Sequence, residues 1–195
     1  MARLVALYGS PRRNGNTSRL LQEAVHGARE AGADVQEFFL GDLKISPCLE
    51  LYHCKKKGEC GIRDDFQKVR DAILQSQGLM LASPIFFYSV TAQTKILMDR
   101  FQSLWVKKYV LDKTEFGKWT PTRQGLFISV GATRGKKLFE GTLLTVKYFF
   151  DPLDMALWRS LLYRELDGPQ DVMNHPEYLQ EARASGRELV LKVQE

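Results

Sequence analysis

The sequence predicts an α/β fold: a doubly wound, five-stranded parallel sheet with helices on both faces, built as one domain over residues 1–195. Three observations predict it. Short continuous apolar runs recur along the chain, as in strands buried on both faces. Between them lie segments whose apolar residues repeat at helical spacing. Gly, Pro, Ser, Thr and Asp stand at the boundaries, where they start and stop helices and turns. Strands joined through helices need crossover connections and therefore pair in parallel.

The first apolar run, 4–8, ends at Gly9. Thr17 or Ser18 then caps a helix reaching about residue 31, with Leu20, Leu21, Ala24, Val25 and Ala28 on one side and Gly32 as its stop. Residues 34–40 read as the second strand. No clean period runs through 41–63, the expected irregular excursion, which holds all the cysteines. Asp64 and Asp65 open a helix carrying Phe66, Val69, Ile73 and Leu74. Residues 78–82 form the third strand, broken by Pro84, and 91–105 an amphipathic helix. The polar stretch 107–124 reads as a surface insertion. A fourth strand, 125–130, ends at Gly131, and a helix over 138–150 follows with Leu143, Leu144 and Val146 apolar. A strand over 155–163 and a helix over 175–193 complete the pattern, without internal repeats or low-complexity segments.

Composition sets outer bounds. Hydrophobic residues are 44% and charged residues 26%, ordinary for a folded soluble chain and contrary to disorder. The net charge of +5 suits an anionic ligand or a mildly basic surface. Its basic residues are scattered, and Lys55-Lys56-Lys57 is too short for a nucleic-acid arm. No apolar run approaches the length that spans a bilayer, and the N-terminal run is too short for a signal core. The odd set of Cys48, Cys54 and Cys60 argues against a secreted disulfide scaffold, so a cytoplasmic protein is expected. His26 and His175 sit in helical stretches and read as surface residues.

In open parallel sheets, ligands bind beyond the carboxyl ends of the strands. That rule selects the loops after Tyr8, Ser83 and Val130. The first, Gly9-Ser10-Pro11-Arg12-Arg13-Asn14-Gly15-Asn16-Thr17-Ser18, joins a buried strand to a helix start. The free N–H groups and positive end of such a helix attract an anion. Ser10, Thr17 and Ser18 add hydroxyls, and Arg12 and Arg13 add charge. The loop lacks the Gly-Lys-Ser/Thr ending of a triphosphate loop and the Gly-x-Gly-x-x-Gly of a dinucleotide fold, so a terminal monophosphate fits best. No second segment suggests an adenylate site. The plain alternative for this loop is a capped turn.

From Gly9 to Thr17 the chain resembles the FMN phosphate loop of the NADPH-dependent FMN reductase and iron–sulfur flavoprotein family. The likeness extends to about Gly131 and weakens in the last third. It implies a flavodoxin-like fold, bound FMN, and a homodimer or homotetramer. Ser83-Pro84-Ile85-Phe86-Phe87-Tyr88-Ser89 resembles the family loop that wraps the flavin ring, although such aromatics also serve as core. Phe86 stands where a tyrosine is usual and Tyr88 where a glycine is common, which brings a bulky ring toward the substrate face. Ser129-Val130-Gly131-Ala132-Thr133-Arg134-Gly135 matches the family's third flavin loop, and is equally readable as a glycine-rich turn. The expected FMN-binding residues are Ser10, Arg12, Asn16, Thr17, Ser18, Pro84, Ile85, Phe86, Phe87, Gly131 and Ala132.

The cysteine segment resembles the iron–sulfur flavoprotein motif with one ligand missing. Leu51 holds the place of its second cysteine and cannot bind iron, whereas a cubane cluster takes four thiolates. No metal is expected. An incomplete cluster, or a zinc site of three cysteines with His53, are the alternatives. Leu49, Leu51 and Tyr52 would then make a lid or a subunit contact.

The resemblance implies an enzyme in which NADPH or NADH reduces FMN and electrons pass to a quinone, a free flavin or another small-molecule acceptor. No catalytic side chain is named, because the flavin carries the chemistry. An electron carrier without NAD(P)H turnover, flavodoxin-like or iron–sulfur flavoprotein-like, is the alternative. A basic nucleic-acid-binding domain is the third reading, disfavoured because no basic stripe interleaves with aromatics. Neither nucleic acid nor membrane is expected as a partner.

Overall fold

The computed structural model describes residues 1–117 and 120–195. Its five strands are β1 (Arg3–Tyr8), β2 (Asp34–Phe39), β3 (Gly78–Ala82), β4 (Arg123–Gly131) and β5 (Met155–Arg164). They form one sheet in the order β2-β1-β3-β4-β5, every neighbouring pair parallel. This is the flavodoxin-like order, whose direction reverses between β1 and β3. All carboxyl ends therefore lie along one edge.

Side chains alternate across each strand, and both faces are covered. Leu4, Ala6 and Tyr8 of β1 face α1 (Asn16–Glu30) and α7 (Pro176–Lys192), where Leu20, Leu21, Ala24, Val25, Leu189 and Val190 are buried. Val5 and Leu7 face the opposite layer with Leu79, Leu81 and Phe127. That layer is built by α3 (Phe66–Gln75), α4 (Ala92–Arg100) and α6 (Glu140–Phe150). Each fully buried side chain of this size contributes roughly 1.5–3 kcal/mol, which makes the apolar runs obligatory core. On the first face α1 and α7 touch backbone to backbone. A Cβ at Gly27 would lie 1.9 Å from the Arg183 carbonyl oxygen, and one at Gly186 would lie 1.9 Å from that of Ala24.

Several boundaries differ from the sequence reading for identifiable reasons. Gly15 is the N-cap of α1, and Thr17 and Ser18 lie buried within its first turn. Leu40 leaves the second strand to open a 3-10 turn over Leu40–Asp42. The excursion 41–63 also holds a short helix, α2 (His53–Lys57). Leu74 and Leu144 point to solvent, because the buried stripes run through Phe66, Val69 and Ile73, and through Val146 and Phe150. Thr91 is the N-cap of α4, and the helix bends at Phe101 into α5 (Gln102–Trp105). It then continues as a π-helix over Val106–Leu111, so the stretch expected as a surface insertion begins in helix. Lys108 there turns inward, its Nζ 2.7 Å from Asp154 Oδ1 and 3.2 Å from Asp151 Oδ1. The end of that stretch belongs to β4, where Arg123 donates to the carbonyls of Ile73 (2.6 Å) and Ser76 (3.0 Å). Residues 118 and 119 of the expected insertion lie outside the described residues. His175 is half-buried, stacked on Tyr178 at 4.7 Å.

One buried ion pair fixes the excursion to the core. Arg100, whose side chain is fully buried, donates from Nη1 to Asp64 Oδ2 (2.7 Å) and the Ser46 carbonyl (2.8 Å), and from Nη2 to the Ile62 carbonyl (2.9 Å). Its Nε reaches Cys60 Sγ at 3.2 Å. Asp64 also accepts the N–H groups of Ser46 (2.9 Å) and Phe66 (3.0 Å). Burial pushes the Asp64 carboxyl up, but the hydrogen bonds from Arg100 and these two N–H groups outweigh it and hold it below the usual carboxylate value. A depressed carboxyl stabilises the fold above its unfolded pKa near 4, and that contribution is lost as pH falls through the folded value. Replacing Arg100 by Met removes the cation from a half-buried carboxylate and should cost roughly 1.5–3 kcal/mol in urea unfolding at pH 7. The loss should shrink in acid, where Asp64 is protonated. An unchanged midpoint at pH 7 would show that the pair does not hold the excursion.

Candidate functional site

At the carboxyl edge of the sheet a cavity of about 280 Å³ opens between the loops after β1, β3 and β4. The first loop leaves β1 through Gly9, whose N–H donates to the Ala82 carbonyl at 2.7 Å. A Cβ there would lie 2.1 Å from Thr94 Oγ1 and 2.8 Å from the Ala82 carbonyl oxygen, so only glycine permits this exit. The loop then closes on itself. Ser10 Oγ accepts the Arg12 N–H (3.1 Å), Gly15 N–H donates to the Arg12 carbonyl (3.1 Å), and Ser18 Oγ donates to the same carbonyl (2.8 Å).

This closure decides which predicted residues face the cavity. Ser10, Arg12, Asn16 and Thr17 line it, together with Pro11 and Gly15. Ser18 does not, because its hydroxyl holds the turn. Arg13 turns away to pair with Asp42, its guanidinium 4.5 Å over the Phe39 ring. The Asn16 amide is engaged on both sides: Nδ2 donates to the Gly168 carbonyl (2.8 Å) and Oδ1 accepts the Val172 N–H (3.1 Å). No side chain caps α1, and no acidic residue occupies its first turn. The positive helix end and its N–H groups therefore remain open to an anion, with Arg12 beside them.

The other end of the cavity is apolar. Pro84, Ile85, Phe86, Val130 and Ala132 line it. The Ile85 N–H donates to the Val130 carbonyl (2.9 Å), which sews the second loop to the third. Phe86 and Ser89 exchange both backbone hydrogen bonds, at 2.9 and 3.0 Å, around a two-residue turn. The N–H groups of Ile85 and Phe86 are thus engaged within the protein, and this wall offers mainly apolar contact. Phe87 and Tyr88 sit in the left-handed region at φ 50° and 59°. For bulky residues this costs roughly 1–2 kcal/mol each. Phe87, expected among the FMN-binding residues, is fully exposed and outside the cavity lining. Tyr88 also lies outside the lining; its carbonyl accepts Thr142 Oγ1 at 3.1 Å. Gly131 is likewise not a lining residue; its carbonyl accepts the Leu166 N–H at 3.4 Å.

The cavity has a fourth wall that the sequence reading does not include. Leu166, Asp167 and Pro169, in the loop after β5, complete the lining. Gly168-Pro169 is a turn signal just past a strand end, so the strand-edge rule could have found it.

The cysteines lie elsewhere, around a second cavity of about 390 Å³ floored by Trp105, Val106 and Val110. Cys48 is exposed, Cys54 and Cys60 are half-buried, and Cys60 Sγ is held by Arg100. Leu49, Leu51 and Tyr52 remain largely exposed in this chain. Among the described residues, no three His, Cys, Asp or Glu side chains converge as metal ligands. With Leu51 in the second ligand position, the donor set does not fit a four-thiolate cluster.

A family model described as NADPH-dependent FMN reductase matches residues 2–146. An iron–sulfur flavoprotein of Methanocaldococcus jannaschii is 32% identical over 148 residues, 76% of this chain and 71% of that protein. A solved flavone reductase superposes with a TM-score of 0.73 at 19% identity, over 99% of this chain and 63% of that one. An FMN-dependent NADH-azoreductase of Bacillus anthracis, solved in complex with FMN, superposes with a TM-score of 0.68 at 13% identity, over 97% of this chain and 100% of that one. At such identities the two structures establish the fold.

The incomplete cysteine set has a direct test. Anaerobic purification should yield protein without stoichiometric iron or acid-labile sulfide, and Leu51→Cys should permit cluster reconstitution. Stoichiometric iron and sulfide in the unaltered protein would show that three thiolates and an outside donor suffice.

Proposed function

The chain belongs to the NADPH-dependent FMN reductase family, and we propose that it is an FMN-dependent oxidoreductase that takes electrons from NADPH or NADH. The acceptor is a small molecule: a quinone, a flavin or another oxidant. The observation that carries this reading is the cavity itself. One end presents an uncapped helix start with Arg12, and the other an apolar slot between Pro84, Phe86 and Ala132. That donor set fits a phosphorylated planar ring. When bound, FMN would supply hydride acceptance from a nicotinamide and onward electron transfer.

The chain's own residues bind and orient. The first-turn N–H groups of α1, the Thr17 hydroxyl and the Arg12 guanidinium would take the phosphate. Pro84, Ile85 and Phe86 would hold one side of the ring. The hydrogen bond from Ile85 to Val130 fixes the spacing between the two ring-binding loops. No catalytic side chain is assigned. We further propose a cytoplasmic homodimer or homotetramer without nucleic-acid or membrane partners. Among the described residues, no helix is long and apolar enough to cross a membrane.

Heat release and chromatography should recover FMN; stoichiometric FAD, or no flavin, would overturn the assignment. In titrations of the apoprotein, Arg12→Ala and Thr17→Ala should each weaken FMN binding about tenfold or more, since a hydrogen bond to a charged group is worth roughly 1.5–3 kcal/mol. The loaded protein should oxidise NADPH or NADH with a quinone present. FMN binding with no oxidation of either nucleotide would make it an electron carrier instead.

A further inference from the structure

The loop after β5 lies beyond residue 146, where the family match ends, yet it walls the cavity. Its placement is built from three sides. Glu165 turns the chain at φ 62°, and the Leu166 N–H then donates to the Gly131 carbonyl at 3.4 Å, which joins the loop to the ring end of the site. Two residues later the Gly168 carbonyl accepts Asn16 Nδ2 at 2.8 Å, which joins it to the phosphate loop. Asp171 closes the turn from below, its Oδ2 accepting the N–H groups of Asp167 (3.0 Å) and Gly168 (2.6 Å). Asn16 Oδ1 also accepts the Val172 N–H at 3.1 Å, so one amide clamps both arms of the loop.

Asp167 is therefore suspended between the ring end and the phosphate end of the cavity. Asp167 is an exposed residue of the cavity lining, and its carboxylate makes no hydrogen bond or ion pair among the described residues. A carboxylate accepts hydrogen bonds and repels anions, so the ligand group it suits is neutral and rich in hydroxyl donors. Resting on the FMN reading above, we infer that Asp167 binds the polyol chain linking ring and phosphate, with Asn16 as the positioning residue that holds its loop in place. The loop thus makes the last third of the chain part of the flavin site.

The test compares FMN with riboflavin, which shares the polyol but lacks the phosphate. Apoprotein is titrated with each by fluorescence quenching, with thermal melts of every variant as a folding control. Asp167→Ala should weaken both flavins by the same factor, about tenfold. Asp167→Asn, whose amide oxygen still accepts, should retain most of the affinity. Arg12→Ala should weaken FMN and leave riboflavin unchanged. Asn16→Ala should weaken both, while Asn16→Asp, which keeps the acceptor for the Val172 N–H, should recover part of the riboflavin affinity. Unchanged binding of both flavins by Asp167→Ala would overturn the inference. Tighter FMN binding with unchanged riboflavin would also overturn it, by placing the carboxylate against the phosphate. Wild-type apoprotein that binds neither flavin would instead remove the FMN reading, and this inference with it.

Discussion

The structure depends on one constraint: a parallel sheet buried on both faces. Parallel neighbours require crossovers, and each crossover returns the chain to the same end of the sheet. The loops that follow β1, β3, β4 and β5 must then meet along one edge. The strands supply rigid, apolar footings, and the loops are free to carry polar chemistry. Gly9 shows how tight the junction is, since a single methyl there would collide with Thr94 and the backbone of Ala82.

Rigidity at this edge comes from hydrogen bonds between loops. Ile85 to Val130 ties the second loop to the third, Leu166 to Gly131 ties the third to the fourth, and Asn16 to Gly168 ties the fourth to the first. Thr91 Oγ1 donates to the Gly9 carbonyl at 2.6 Å, which ties the first loop to the end of the second and closes the ring. The Phe87–Tyr88 turn is held against its own strain in the same way, by the Phe86–Ser89 pair and by Thr142 on the Tyr88 carbonyl. A glycine at position 88 would adopt that conformation without penalty. The tyrosine is tolerated because its surroundings over-determine the backbone.

The cysteine excursion is organised by different means. A buried guanidinium gathers Ser46, Cys60, Ile62 and Asp64 around one point. The planar fork of Arg100 meets four partners at once, which a lysine could not do. Cys60 is thereby a hydrogen-bonded part of the core staple. Leu51 lies on the exposed rim of the neighbouring cavity.

Much of this was readable from residue order. The buried strands followed from uninterrupted apolar runs, α1 from its spacing of Leu20, Leu21, Ala24, Val25 and Ala28, and the open helix start from a glycine-led turn into that helix. These signals are local: strand, turn and helix periods are set by neighbours a few residues away. Partner choice is not local. Asn16 reads as a cofactor-binding residue, and its amide meets Gly168 and Val172, more than 150 residues along the chain. Arg13 reads as a second cation for the loop, but Phe39 and Asp42 claim it. Lys108 reads as surface and is buried because two aspartates from another element meet it. The sequence by itself determined the layers, the edge where the loops meet and the turn from the first strand into α1. Only the tertiary structure decided which side chains of the first loop face the cavity, and that a fourth loop closes it, because hydrogen bonding depends on distance and orientation that residue spacing does not encode.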